Sequence, residues 1–124
     1  MSMNITYRVR WHLCEPQLAQ LWAIKTKHEH SEAYRRFEQE YGMESLMIEP
    51  RQPNAEEAHS DNSLWWGAVA YPSGLDFLEF EEFQEIVLGF VSELRRTFGG
   101  DNWEVFLYDN EEPAKWHEEK EMFY

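Results

Sequence analysis

A single cysteine, Cys14, stands among the 124 residues. No intrachain disulfide can form, so the chain is not a disulfide-stapled secreted scaffold. Glycine is also sparse. Gly42, Gly67, Gly74, Gly89, Gly99 and Gly100 are the six, and none builds a phosphate-cradling loop ahead of a helix. The longest apolar run, residues 64–71, falls far short of the roughly 20 residues a membrane span needs. The N-terminus has no basic stretch followed by an apolar one, as a secretory leader would. A cytoplasmic location is therefore the expectation.

Positive charge is missing from the second half. Residues 54–124 hold seventeen acids and only four bases, Arg95, Arg96, Lys115 and Lys120. Residues 1–53 balance seven acids with seven bases, so the entire −13 lies beyond them. A field this lopsided repels nucleic acid and anionic membrane and attracts basic protein surfaces.

Catalytic constellations are lacking too. His28-Glu29-His30 points two imidazoles to different sides of a helix, while His28 with Glu32, or His117 with Glu121, makes only a pair. A tetrahedral metal site needs three or four convergent ligands, so no metal and no cofactor are expected. Cys14, near a helix start and two residues from His12, lacks a third orienting group and reads as a small buried side chain. Glu81, Glu82 and Glu85 fall on the solvent side of their helix, where nothing would shift a carboxyl toward acid–base work. The chain is expected not to be an enzyme.

What is present patterns into an α+β domain. Ile5, Tyr7, Val9, Trp11 and Leu13 alternate with Thr6, Arg8, Arg10 and His12, the period of a half-buried strand. Glu15-Pro16 then opens a helix. Within 16–41, Leu18, Leu21 and Trp22 share a stripe that runs on into Lys25, His28, Glu29 and Glu32. Tyr34, Phe37 and Tyr41 lie on another. One straight helix cannot bury both stripes. The spacing predicts two helices, about 16–27 and 32–41, with Ser31 capping the second and Gly42 ending it.

A short strand is predicted at 45–49, a polar loop at 50–62, and a central strand, apolar on both faces, at 64–71. Asp76 and Glu79 form a capping box ahead of a helix whose Phe80, Phe83, Val87, Phe90, Val91, Leu94 and Phe98 share one face. A last strand follows at 103–108. Residues 109–113 break it, and within the acidic tail, about 110–124, the stretch 114–124 is read as one short helix with Trp116 and Phe123 on a shared face. The order predicts a single domain over 1–124. Its expected form is a four-stranded antiparallel sheet with helices on one face, the split βαβ arrangement with its first helix broken in two.

Function follows from charge and from residues out of place. Gly89 sits mid-helix among acids, where glycine costs about 1 kcal/mol against alanine, and a closely packed second backbone would explain it. The leading expectation is an acidic inhibitor or antidote-type module that occludes a basic, nucleic-acid-handling protein such as a nuclease. It would act as an immunity protein or nucleic-acid mimic does, without touching nucleic acid or membrane itself. Its partner surface is expected at Glu81, Glu82, Glu85, Gly89, Glu93, Trp116, Glu118 and Glu119. An alternative is a small ligand binder or enzyme using the open sheet face, with Arg8, Arg10, His12, Trp65 or Trp66, Phe106 and Tyr108. A third is a subunit of a larger assembly, held by a surplus among the twenty aromatics.

Overall fold

The computed structural model describes residues 3–50, 64–99, 102–109 and 111–124. Three helices and a five-stranded antiparallel sheet form a mixed α+β domain, with a small two-stranded sheet beside them. The chain runs β1 (Asn4–Arg10), α1 (Glu15–Glu29), α2 (Glu32–Tyr41), β2 (Glu49–Pro50), β3 (Leu64–Ala70), α3 (Phe77–Phe98), β4 (Glu104–Leu107), β5 (Glu112–Pro113), β6 (Trp116–His117) and β7 (Met122–Phe123). The large sheet is ordered β2-β3-β1-β4-β5. Four strands were expected; the fifth, β5, folds back on β4 and pairs Pro113 with Phe106. Among the described residues both edges are two residues long and read Glu-Pro. A proline and a charge on so short an edge discourage further strand addition.

The alternation of β1 holds. Ile5, Tyr7 and Val9 are buried against the helices, as is Trp11 just beyond the strand. On β3 the same side carries Trp65, Gly67 and Val69. A Cβ at Gly67 would overlap the Tyr7 ring and the Met47 carbonyl, so only glycine fits there. Tyr7 donates its hydroxyl to that carbonyl, and burial holds its ionisation far above the ordinary tyrosine range.

The break after α1 is where the two stripes demanded it. Ser31 accepts from the Tyr34 amide at 3.2 Å, and Gly42 closes α2 with a φ of 72°. The polar stripe of α1 is not a solvated face, however, and the helix runs two residues further than predicted. Lys25 bonds Glu29 at 2.8 Å, Glu29 accepts from the Leu46 amide at 3.0 Å, and the His28 ring edges onto Phe90 at 5.6 Å. Trp22, expected on the inner stripe, is 44% exposed; Ile24 is buried instead.

Residues 45–49 do not form the predicted strand. Side chains claim their backbone groups: Glu29 takes the Leu46 amide and Tyr7 the Met47 carbonyl. Only Glu49 and Pro50 reach the sheet. The predicted loop at 50–62 lies outside the described residues, apart from Pro50.

The third helix is capped as predicted, with Asp76 accepting from the Glu79 amide at 2.8 Å and Glu79 accepting from the Asp76 amide at 3.1 Å. Phe83, Val87, Leu88, Phe90, Val91 and Leu94 are buried along it. At 1.5–3 kcal/mol each, their burial contributes about 9–18 kcal/mol as an upper bound, so α3 tolerates Gly89 easily.

The tail is a hairpin, not a helix. Trp116 lies directly opposite Phe123, and the turn between β6 and β7 holds Glu121 at a φ of 50°. The hairpin docks on α3. Buried Ser92 donates to the Leu88 carbonyl at 2.6 Å and accepts from the Phe123 amide at 2.8 Å. Arg96 donates to the Glu121 carbonyl at 2.8 Å. The hairpin pairs its backbone across β6 and β7 and gives the Phe123 amide to Ser92, so these groups are met where it docks.

Of the twenty aromatics, only Trp22, Trp66, Phe77 and Tyr124 are exposed. The aromatic load is mostly core or packed against it. Among the described residues no helix is long and apolar enough to cross a membrane.

Candidate functional site: a groove between the helices

Where α1 breaks into α2, the chain leaves a groove of about 590 Å³ against α3. His28, Ser31, Glu32, Ala33 and Arg36 line one side; Glu82, Glu85, Ile86 and Gly89 line the other. The break therefore shapes the site: Ser31 turns the chain and Ala33 keeps that wall low. On α3, Glu82, Glu85 and Gly89 recur at helical spacing, so they stand along one ridge.

Gly89 leaves the α3 backbone bare here. A Cβ built on it would meet nothing within 4 Å. The tail hairpin packs further along at Ser92, Arg95 and Arg96, and does not explain the glycine.

The electrostatics are acidic but partly compensated. Three carboxylates, Glu32, Glu82 and Glu85, face one guanidinium, Arg36, which pairs with Glu82. Glu81 is exposed one residue along from Glu82. Glu93 is different. It accepts from Lys27 at 2.6 Å and lies 3.0 Å from the His28 ring nitrogen. Its partial burial pushes the carboxyl up, but hydrogen bonds and charge from Lys27 and His28 outweigh that and hold it below the ordinary glutamate value. Glu93 thus clips α1 to α3 rather than offering a free charge.

The remaining predicted partner residues lie elsewhere. The Trp116 ring sits under Arg95 at 4.2 Å and edges onto Phe123 at 4.9 Å, so it anchors the hairpin to this fold. Glu118 and Glu119 are exposed in the hairpin turn. The structure thus brings Glu82, Glu85 and Gly89 together, places Glu81 beside them, and separates Trp116, Glu118 and Glu119.

Sequence reasoning missed Phe77 and Leu78. At 75% and 68% exposure they form an apolar pair in the first turn of α3, next to Glu81 and Glu82. The signal was present. With Asp76 fixing the helix start, 100° per residue puts Leu78 about 160° from Leu94, on the far side from the core. Glu32 and Arg36 were missed because the sequence does not say which face of α2 meets α3.

The alternative face also resolves. Thr6, Arg8 and Arg10 of β1 share the outer side of the sheet with Leu64 and Trp66 of β3 and with Glu104 and Phe106 of β4. Of the two candidate tryptophans it is Trp66 that stands there, while Trp65 is buried. Tyr108 does not belong to this face. The chain turns left-handed at Tyr108 (φ 51°) and Asp109 (φ 55°), and the Tyr108 ring stacks with Tyr71 and Phe80, each at 5.8 Å. Asp109 holds that turn by accepting from the Asn4 backbone and side-chain amides at 2.8 and 2.9 Å. His12 is exposed beyond the end of β1.

Cys14 is exposed at the N-terminal cap of α1, not buried as predicted, and its amide donates to the Gln17 side chain at 3.0 Å. Among the described residues no three His, Cys, Asp or Glu side chains converge as metal ligands. No protein-family model, curated protein or solved structure matches this chain.

Proposed function

We propose that the chain is a non-catalytic, cytoplasmic inhibitor or antidote that captures a basic protein in the groove between α2 and α3. One observation carries the reading: Glu32, Glu82 and Glu85 line a groove whose α3 backbone is bare at Gly89. Complementary charge would steer a lysine- or arginine-rich surface to this ridge, and Phe77 and Leu78 would supply apolar retention at its end. The −13 of the chain extends the steering range, most strongly at low salt.

A nuclease or other nucleic-acid-handling protein is the partner class this chemistry suits. Glu82 and Glu85 are three positions apart, roughly 4.5 Å along the axis, close to the about 3.4 Å advance of successive phosphates. Such a ridge would occlude a phosphate-binding surface in the manner of an immunity protein or nucleic-acid mimic. The strand order β2-β3-β1-β4 supports reading the scaffold as a split βαβ unit with β5 added at one edge.

The test is association kinetics with the basic protein retained from source-cell extract on the immobilised chain. The association rate should fall steeply with salt while dissociation changes less. Joint replacement Glu81→Lys, Glu82→Lys and Glu85→Lys should slow association by more than about tenfold. A rate indifferent to both salt and these changes contradicts electrostatic capture.

A further inference from the structure

The opposite side of the molecule carries a second recess, unrelated to the groove. On the outer face of the sheet, Thr6, Arg8, Leu64, Trp66, Glu104 and Phe106 line a hollow of about 370 Å³. That volume lies in the lower part of the range for small-ligand pockets, roughly 300–1,000 Å³. Trp66 and Phe106 rise from the strands on either side of β1, Trp66 level with Arg8 and Phe106 level with Thr6, so their backbones stand about 12 Å apart, two strand spacings across and two residues along. Thr6 and Arg8 form the floor between them.

The polar groups define the rest of the occupant. Arg8 donates through Nε to Glu104, and its two terminal nitrogens make no hydrogen bond among the described residues. That pair is the fork which grips two oxygens of a carboxylate or of a tetrahedral oxyanion bidentately. Arg10 lies two residues along the same face, opposite Leu64, with no partner among the described residues. Two arginines on an apolar face are a local exception in a chain of net charge −13. A second copy of the chain is a poor occupant, since its own large negative charge opposes close approach.

We propose that this hollow binds a small, flat, apolar molecule carrying one acid group, of the aromatic carboxylate or sulfonate class. The body lies between Trp66 and Phe106, and the acid group meets the terminal nitrogens of Arg8, with Arg10 adding charge.

Two fluorescent probes of one flat skeleton test it: 6-aminonaphthalene-2-sulfonate, which carries the acid, and 2-naphthylamine, which lacks it. The native protein should bind the sulfonate saturably, one to one, with quenching of its tryptophan emission. Arg8→Met should weaken the sulfonate by roughly tenfold, the scale of a charged hydrogen bond, and leave the neutral amine unchanged. Trp66→Ala should weaken both, and Glu104→Gln should strengthen the sulfonate. These side chains lie on the outer face, away from the core, and the quenching measurement needs no variant. Absence of saturable binding to the native protein overturns the proposal. So does equal loss of both probes in Arg8→Met, or a doubled mass in sedimentation that Trp66→Ala reverses, which would give the face to a second copy.

Discussion

Replacing Gly89 by alanine separates what α3 needs from what the groove does. The residue lies mid-helix, and a Cβ there meets nothing within 4 Å. The methyl group therefore adds no clash, and the helix gains the full glycine-to-alanine difference, about 0.8–1.0 kcal/mol. At roughly 2.1 cal/mol/K per residue the unfolding entropy of a chain this long is about 0.26 kcal/mol/K, so Tm should rise by about 3–4 °C. Calorimetry of the native and Gly89→Ala proteins measures this directly. Binding should move the other way, because the methyl fills space that a partner backbone would occupy. An unchanged or lowered Tm would mean that something packs on Gly89 and that the groove is not open there. A raised Tm with unaltered capture would place the partner away from this backbone.

Three further outcomes test the scaffold. Gly67→Ala should destabilise by about 3 kcal/mol or more, since the added atom meets the Tyr7 ring and Met47 backbone, and denaturant unfolding that is nearly unchanged would contradict that packing. Ser31→Ala should cost about 0.5–2 kcal/mol through loss of the cap on α2, and an unchanged melt would contradict it. Glu93 has a folded value held below its ordinary 4.5, so its contribution is complete above that pH and is lost as pH falls through the folded value. Urea midpoints should accordingly drop more steeply below pH 4.5 in the native protein than in Glu93→Gln, whereas parallel curves would show that the Lys27–Glu93–His28 clip adds nothing.

The sequence exposed those features that a single element decides by itself. The alternation of β1, the capping box at Asp76 and the helix break at Ser31 depend on neighbours within a few residues. Features that depend on which element meets which were hidden. The strand predicted at 45–49 failed because Glu29 and Tyr7, distant in sequence, capture its backbone groups. The tail became a hairpin because buried Ser92 offers its hydroxyl to the Phe123 amide. Tyr108 left the open face because two successive left-handed residues broke the alternation, and Asp109 was the one local hint. At the groove, the acids and glycine of α3 were legible as a ridge, while Glu32, Ala33 and Arg36 opposite them appear only once α2 is docked.

Amide chemical shifts of the labelled protein, titrated with an oligoarginine peptide at low salt, test capture in the groove most directly. Glu32, Ala33, Glu85 and Gly89 should shift together along one saturable curve, and Glu32→Gln with Glu85→Gln should weaken it. Shifts confined to Glu118, Glu119 and the strand edges, with Gly89 and its neighbours unmoved, would contradict it.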